Sequence, residues 1–515
     1  MRWAWCGRVA VADDGTVARL SAPLETALWY RSLASTDIVW TWEGGGAELC
    51  ALAEARPGER WTGRIGGGTL LELRAEGGAS VRDASALAPW LEPPGGADDV
   101  RARWVLDAMS LALEELADRG YHVHSDRGRG PRLTVSAVAW ATASALAGIQ
   151  PRDAVGWAEY DCGRRAYYGG RCEVLRTVAP RVVGWDISGA YPWALSQPVP
   201  VGGRIGCVTG AAAGAALERG RPGIYYARVA QPDDSTPRLP YRHRPSTGRG
   251  RWRGPLMWCT GYVEGWYAPL ELHAAEDTGA RVEVRAAHLW SSADARWAPY
   301  IAHCAADRAT LRAAGVDETS AKLLANALSG KLAQGPDATS VRVIADDELP
   351  QLGWSWHGGR VWSKRHRSVP SSARPVEAAY VTARVRVELL RALLAAGDEG
   401  VYCDTDGLWV REGASPPPGR APWREIDRGE DWCAPRPKGY TYRRPDGETV
   451  TRCSGVQVPL REILAAFACG RGAMPPRRRP GMPALPLESA WAGLRVITEG
   501  GATRPLYRER DGRLR

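Results

Sequence analysis

The chain has 515 residues, of which 44% are hydrophobic and 24% charged, with a formal net charge of +9 and a pI of about 9.1. This composition is typical of a globular protein with about three domains, and the basic balance favours a polyanionic partner. The sequence contains no run of 18 apolar residues, so no membrane-spanning helix is predicted, and the N-terminus lacks a secretory-signal pattern. The 11 cysteines are scattered without a CxxC pair, which argues against a zinc site or disulfide framework and favours a reducing cytoplasm.

The predicted elements begin with short strands and loops over residues 1–100, which Gly-rich segments such as "EGGGAEL" and "RIGGGTLLEL" interrupt. An amphipathic helix is predicted over 98–118, because Val105, Met109 and Leu113 recur on one face. A basic loop and a further helix follow. The segment "RVVGWDISGAYPWAL" (181–195) then predicts a buried strand that runs into a turn.

The second half begins with a mostly β region over 196–295, followed by two helices joined by a short connection. Gly315 should end the first of these helices, and Asp317 is the predicted N-cap of the second, "DETSAKLLANALSGKLAQ". Loop and strand are predicted over 336–372. A strong helix over 375–397 leads into the apolar strand "VYCDTDGLWV".

Lysine and asparagine are rare, which marks the few positions where they occur. The chain has four lysines, Lys322, Lys331, Lys364 and Lys438, and a single asparagine, Asn326. A GC-rich coding sequence explains the bias, since both residues have A/T-rich codons. Where lysine remains, the planar arginine fork is therefore a poor substitute for its compact charge. Three of these five residues fall within 322–331, which makes that helix a candidate site.

Two aspartates, Asp404 and Asp406, lie one residue apart inside the apolar strand segment. Asp-Thr-Asp-Gly is good β-turn chemistry, so a turn alone explains them. Asp186, however, ends another predicted core strand, and three carboxylates at strand ends suit divalent cations that activate phosphoryl transfer. Lys322 and Asn326 are four residues apart on one helix face and suit a triphosphate and a base or sugar edge. The alternative for that face is an ordinary solvated helix surface.

These residues resemble a known set of motifs. "DISGAYP" (186–192) resembles motif A of the family B DNA polymerases (DxxSLYP), "KLLANALSGKLA" (322–333) resembles motif B (KxxxNSxYG), and "YCDTDG" (402–407) resembles motif C (YxDTDS). They also follow the family's order. "YYGG" before motif A, "PKGYTY" after motif C and the following "RCSGV" resemble segments of the protein-primed branch of that family.

The resemblance implies an α/β (α+β) right-hand polymerase with palm, fingers and thumb, preceded by a truncated RNase H-like exonuclease-type domain. Its implied division is a degenerate 3′–5′ exonuclease-like domain (1–125), a linker helix and first palm part with a first insertion (126–296), fingers (297–335), a second palm part (336–455) and thumb (456–515). The implied reaction is template-directed addition of dNTPs to a primer 3′-hydroxyl with two Mg²⁺ ions, or Mn²⁺. The implied partners are primer-template DNA and dNTPs, and the protein-primed branch adds a terminal protein as a candidate primer. The implied location is the cytoplasm, which is that of a bacterial host if a phage or plasmid encodes the chain.

Metal binding and sugar selection are assigned by motifs A and C. The resemblance makes Asp186 and Asp406 the principal metal ligands, with Asp404 beside them and the Ile187 carbonyl assisting. Tyr191 matches the steric-gate tyrosine, whose ring would lie under the sugar and exclude a 2′-hydroxyl.

Nucleotide and DNA contacts are assigned by the remaining motifs. Lys322 should contact the incoming phosphates and Asn326 should line the nucleotide pocket, with Arg308 and Arg312 supplying further positive charge. The primer end is assigned to Lys438 and Tyr440, and the template to Tyr167, Gly169 and Gly170.

The chain departs from the family at several positions. Ala327 and Ser329 replace the Ser and Tyr of motif B, and Gly407 replaces the Ser of motif C. The exonuclease motifs depart further. The chain begins after the expected DxE strand, Gly45 stands where an Asp is expected, and Arg103 stands where a Tyr is expected, although Asp107 is kept. One carboxylate cannot hold two metals, so proofreading is predicted to be lost. Two alternatives remain: a non-catalytic nucleic-acid-binding relative, or a polymerase with primase-like or untemplated synthesis.

Overall fold

A computed structural model describes much of the chain. The described residues are 2–6, 9–20, 30, 33–34, 38–41, 61–66, 69–75, 79–92, 94, 97–124, 131–132, 134–150, 153–232, 234, 236–242, 256–343, 353, 355–358, 361–453, 495–497 and 503–505. The predicted thumb (456–515), apart from two short strands, and the Gly45 position lie outside this part of the chain. By contact density the chain divides into two units, residues 1–157 with 296–374, and residues 158–295 with 375–515.

The helices of the described part follow in chain order. They are α1 (Asp98–Asp118), α2 (Val135–Leu146), α3 (Trp157–Ala166), α4 (Ala190–Leu195), α5 (Ala211–Glu218), α6 (Pro269–Asp277), α7 (Ala298–Ala313), α8 (Thr319–Leu332) and α9 (Pro375–Ala396).

The strands of the first unit are β1 (Arg2–Cys6), β2 (Val9–Ala12), β3 (Val17–Arg19), β4 (Ile38–Thr41), β5 (Trp61–Gly66), β6 (Thr69–Ala75) and β7 (Ser80–Asp83), and, later in the chain, β16 (Asp337–Val343), β17 (Ser355–Gly358) and β18 (Val361–Arg367). Those of the second unit are β8 (Cys172–Val174), β9 (Val178–Ile187), β10 (Val199–Thr209), β11 (Gly223–Gln231), β12 (Pro240–Arg242), β13 (Leu256–Trp258), β14 (Gly261–Tyr267), β15 (Arg281–Asp294), β19 (Gly400–Asp404), β20 (Gly407–Arg411), β21 (Trp423–Arg436), β22 (Gly439–Arg443), β23 (Thr449–Cys453), β24 (Arg495–Ile497) and β25 (Thr503–Pro505).

The first unit is built on a mixed sheet in the order β17-β18-β16-β5-β6-β7-β4-β1-β2-β3. Strand β1 pairs antiparallel with β2 and parallel with β4, and β4 pairs parallel with β7. Helix α1 packs on β1 and β2 through the predicted apolar face, where Val105, Met109 and Leu113 are buried. This arrangement is consistent with the exonuclease-like domain that the sequence predicts.

Strand β16 joins the sheet of the first unit, because it pairs antiparallel with β5. Val341 lies opposite Gly63 in that register. Residues 296–374 therefore belong to the first unit, and the second unit resumes at Pro375. The resemblance assigns residues from 336 onward to the second palm part, and that assignment stays a prediction.

Helices α7 and α8 form the predicted pair, which Gly315 separates at φ +69°. The predicted N-cap is displaced by one residue. Helix α8 begins at Thr319 after Glu318, and Asp317 instead accepts a hydrogen bond from the Thr319 N–H at 3.2 Å. No helix among the described residues has the length and apolar character needed to cross a membrane.

The second unit contains an antiparallel sheet in the order β23-β22-β21-β9-β20-β19-β8. Helix α9 packs on one face of this sheet, where Leu389 and Leu393 meet Cys403 and Leu408. The other face carries an aromatic cluster of Tyr402, Trp409, Trp432, Tyr440 and Tyr442. A second antiparallel sheet, β10-β15-β11-β14, packs with α5 and α6 and accounts for the β region predicted over 196–295.

Candidate active site

Strand register brings the three predicted carboxylates to one end of the α9-backed sheet. Asp404 ends β19 and lies opposite Gly407, which begins β20, and Gly407 in turn lies opposite Asp186 on β9. Thr405 and Asp406 form the two-residue turn between β19 and β20, and the Asp406 N–H donates to the Asp404 carbonyl at 2.7 Å. The turn prediction is therefore confirmed, and the turn itself carries the carboxylates toward Asp186.

The electrostatics of this end of the sheet are unfavourable without a cation. Burial, the neighbouring Asp186 carboxylate and Asp404 raise the pKa of Asp406 to about 6. Arg424 lies opposite Asp186 on β21, with its guanidinium 3.8 Å from the Asp186 carboxylate. A positive ion beside Asp406 would relieve this repulsion.

Lys438 contacts the same group of carboxylates. Its ammonium group bonds to Asp404, and its backbone N–H donates to the Tyr402 hydroxyl at 2.9 Å. Lys438 has a φ of +63°, in the left-handed region that non-glycine residues rarely adopt. Tyr440, the other predicted primer residue, stacks on Trp432 in the aromatic cluster, with 4.7 Å between ring centroids. The "PKGYTY" segment (437–442) is thus held against motif C by hydrogen bonds from both the side chain and the backbone of Lys438.

Motif A supplies the turn that follows β9. The Ile187 N–H donates to the Asp406 carbonyl at 3.0 Å, so motifs A and C are bonded directly. Gly189 follows at φ +58°, and Tyr191 is the second residue of α4. Burial, Tyr167 and the Asp406 carboxylate raise the pKa of Tyr191 to about 12. The predicted steric-gate tyrosine therefore lies near both the predicted template loop and the carboxylates.

The YYGG loop (167–170) packs directly against motif C. A Cβ on Gly170 would lie 2.8 Å from the Thr405 Cγ2 and 3.0 Å from its Cα, whereas a Cβ on Gly169 would have no neighbour within 4 Å. The Thr405 N–H donates to the Arg171 carbonyl at 2.6 Å, and Thr405 has a φ of +63°. Gly170 is therefore needed for the close approach of the loop to the protein's own carboxylate turn.

Arg386 and Glu271, which were not predicted as site residues, support the YYGG loop: Arg386 binds it and Glu271 pairs with Arg386. Arg386 of α9 donates to the Tyr168 carbonyl at 2.7 Å and to the Gly169 carbonyl at 3.1 Å. Its guanidinium also binds Glu271 of α6 at 2.8 Å, and both side chains are 2% exposed. Burial raises the pKa of Glu271, and Arg386 opposes that rise. The available signal was the charged Arg386 between Val385 and Val387 on a largely apolar helix, a position that needs a buried partner.

The predicted nucleotide residues belong to the first unit. Lys322 is exposed on α8, and Asn326 lies one turn further along the same helix, with its amide donating to the Lys322 carbonyl at 2.8 Å. Arg308 and Arg312 both bind Glu318. These two arginines hold the pKa of Glu318 at about 2. Their guanidinium groups thus brace the connection between α7 and α8.

The donor set around Asp186 and Asp406 fits a divalent cation. Carboxylate and carbonyl oxygens are the ligands that Mg²⁺ prefers, and it commonly takes only one or two protein carboxylates and completes its shell with water and phosphate oxygens. In the described part of the chain, no group of three or more His, Cys, Asp or Glu side chains is arranged to hold a metal ion by itself. Two principal carboxylates are enough for Mg²⁺ when water and phosphate oxygens complete its shell. Lys438 partly neutralises the third carboxylate, Asp404.

The segment that carries motifs A and B is similar to a known protein family. Residues 156–378 match the family model described as DNA polymerase type B, organellar and viral. No curated protein matches the sequence.

Several solved structures of Phi29 DNA polymerase are similar to this chain. The orthorhombic crystal form has a TM-score of 0.67 and 14% identity, covering 90% of this chain and 94% of that chain. The complex with primer-template DNA and incoming nucleotide substrates has a TM-score of 0.65 and 13% identity, covering 90% and 92%. The complex with single-stranded DNA has a TM-score of 0.66 and 13% identity, covering 90% and 94%. Residues 156–378 are thus similar to the type B DNA polymerases of organelles and viruses, and about nine-tenths of the chain shares the fold of Phi29 DNA polymerase.

Proposed function

We propose that this chain is a DNA-directed DNA polymerase that adds dNTPs to a primer 3′-hydroxyl and lacks proofreading. The observation that carries the proposal is the register Asp404–Gly407–Asp186, which brings the motif A and motif C carboxylates to one strand end. The solved structures of Phi29 DNA polymerase with primer-template DNA and incoming nucleotides support the same substrates.

In the proposed reaction the primer 3′-oxygen attacks the α-phosphorus of the dNTP. A new P–O bond forms, the bond from the α-phosphorus to its bridging oxygen breaks, and pyrophosphate leaves while the hydroxyl proton is lost to solvent. Divalent cations, two Mg²⁺ or Mn²⁺ ions in the proposal, would supply charge neutralisation and lower the pKa of the attacking hydroxyl. Asp186 and Asp406 would hold them, with Asp404 beside them and the Ile187 carbonyl assisting.

The remaining roles follow from charge and position. Lys322 presents an exposed ammonium suited to a triphosphate, and Asn326 lies on the adjoining turn of α8. Tyr191 is proposed as the sugar gate. Lys438 and Tyr440 would hold the primer end, while the backbone of the YYGG loop would face the template.

The loss of proofreading is proposed from the first unit. At the helix positions where the family has a tyrosine and an aspartate, α1 exposes Arg103 and, one turn later, Asp107, so a single carboxylate of that motif is kept. Two-metal hydrolysis needs several carboxylates in one place. A primer with a mismatched 3′-end should therefore not be trimmed in Mg²⁺, and trimming that disappears in Asp107→Ala would contradict this part of the proposal.

The polymerase proposal is tested by extension of a primed template with Mg²⁺ and dNTPs. Wild type should extend the primer, and the double variant Asp404→Asn/Asp406→Asn should not. Asp446→Asn is the control, because Asp446 and Gly447 also form an Asp-Gly turn in the same sheet, but an exposed one between β22 and β23. Failure of the folded wild-type protein to extend any primer would overturn the proposal.

A further inference from the structure

The end of α1 is bonded to the helix pair α7–α8 within the first unit. Helix α1 ends at Asp118, Gly120 follows at φ +83°, and the Tyr121 N–H donates back to the Leu116 carbonyl at 2.9 Å. A Cβ on Gly120 would lie 3.2 Å from the His303 ring of α7, and the Tyr121 ring meets that histidine edge-on at 4.8 Å between centroids. This turn therefore places Arg119 and Tyr121 against α7.

Asp307 is the buried centre of the contact. Its side chain is 6% exposed, accepts a hydrogen bond from the Tyr121 hydroxyl at 2.9 Å and pairs with Arg119 at 3.3 Å. Burial, the Cys304 thiol and the Asp307 carboxylate raise the pKa of Tyr121, so its hydroxyl remains a donor at neutral pH. A buried carboxylate needs such partners, because an unpaired charge away from water is costly.

Arg119 extends the contact to α8. Its second terminal nitrogen donates to the Ser320 hydroxyl at 3.0 Å, and Ser320 is buried as the second residue of α8. One guanidinium fork thus joins Asp307 on α7 to the start of α8. Lys322 follows Ser320 by two residues, so the bonded position lies within one turn of the proposed phosphate contact.

Other bonds hold α7 and α8 to each other. The Tyr300 hydroxyl donates to the Leu324 carbonyl at 2.9 Å, and Arg308 and Arg312 bind Glu318 at the connection. These bonds would keep the pair together without fixing its position on the unit. Helix α8 also packs on α2, so the test must separate positioning from simple stability.

We infer that Arg119 and Tyr121 are positioning residues that fix the start of α8, and with it Lys322 and Asn326, for binding the triphosphate of the incoming nucleotide. The inference rests on the proposed polymerase function. It gives the segment after α1 a role in nucleotide binding that does not require proofreading.

The test compares Tyr121→Phe and Arg119→Ala with Tyr30→Phe. Tyr30 is the matched control, since its buried hydroxyl donates to the Ala79 carbonyl elsewhere in the same unit. In single-nucleotide extension the two test variants should raise the KM for dNTP by about tenfold, the loss of one charge-assisted hydrogen bond. The kcat and the Kd for primer-template DNA should stay within about twofold of wild type, as for changes outside the reacting groups. Arg119→Lys keeps a cation beside Asp307 and should recover part of the affinity.

Hydrogen exchange supplies a readout that does not depend on activity. Amides at the start of α8 should exchange faster in Tyr121→Phe and in Ser320→Ala, and at the wild-type rate in Tyr30→Phe. If wild type and Tyr30→Phe extend primers while Tyr121→Phe and Arg119→Ala keep the wild-type KM, the inference is wrong and the polymerase proposal stands. If wild type extends nothing, the proposed function fails, and unchanged exchange in α8 would overturn the positioning role as well.

Discussion

Gly170 makes the closest approach between the YYGG loop and the carboxylate turn. Side chains at two neighbouring positions should therefore have different effects. A methyl group at 170 would press on Thr405, which is already at φ +63° and is bonded to the Arg171 carbonyl, whereas a methyl group at 169 would meet open space. The turn, rather than the loop, should be displaced, and Asp404 and Asp406 should move with it.

Gly170→Ala should accordingly lower the kcat for primer extension by on the order of 100-fold, as expected when reacting groups shift by about 1 Å. Gly169→Ala is the control for the turn: its methyl group meets no protein atom, so the kcat at saturating primer-template should stay within about twofold even if template binding weakens. Steady-state kinetics on a primed template, with circular dichroism to verify folding, measures both. Equal activity of the two variants would show that the turn does not depend on Gly170.

At the scale of elements, α9 connects the sheet of the second unit to the YYGG loop through the buried Arg386–Glu271 pair. Removing one partner of a buried ion pair leaves the other charge without compensation, which costs about 3–5 kcal/mol, whereas replacing both with apolar residues is often neutral. The same arginine also donates to the Tyr168 and Gly169 carbonyls. Stability and loop position can therefore be separated by mutation.

Arg386→Met should lower the free energy of unfolding by about 3–5 kcal/mol because Glu271 remains buried and unpaired. The double variant Arg386→Met/Glu271→Leu should regain most of that stability in denaturant titrations. Its primer extension should stay reduced, since the loop carbonyls still lack their donor. Recovery of full activity in the double variant would mean that the loop is positioned by other contacts.

Some of these features were predicted from the sequence alone, and others were not. The bounds of α1 and the helix pair α7–α8 followed from apolar periodicity and glycine stops, which are local signals. The assembly of Asp186, Asp404 and Asp406 followed from their places at strand ends. The pairing of β16 with β5 did not, because the choice of a sheet partner about 280 residues away depends on tertiary register rather than local pattern. The Arg386–Glu271 pair was missed for the same reason: its partners are 115 residues apart.

At the scale of the whole molecule, the net charge of +9 has a consequence for DNA binding. Each phosphate that the protein neutralises releases a condensed counterion, so affinity falls as salt rises. Some basic residues are already engaged within the protein: Arg308 and Arg312 are paired with Glu318, and Lys438 is paired with Asp404. The number of phosphates contacted should therefore be smaller than the number of basic residues.

The Kd for a primer-template duplex should rise at least tenfold between about 50 and 200 mM salt, which corresponds to about two or more neutralised phosphates. Fluorescence anisotropy in the absence of divalent ions measures this directly, and the slope of log Kd against log salt counts the contacts. Lys438→Gln should reduce that slope by about one if its ammonium leaves Asp404 for the primer backbone when DNA binds. Lys364→Gln, a lysine on β18 of the first unit, is the matched control. A slope that is the same in wild type and in Lys438→Gln would mean that Lys438 stays with Asp404 in the complex and does not contact the primer phosphates.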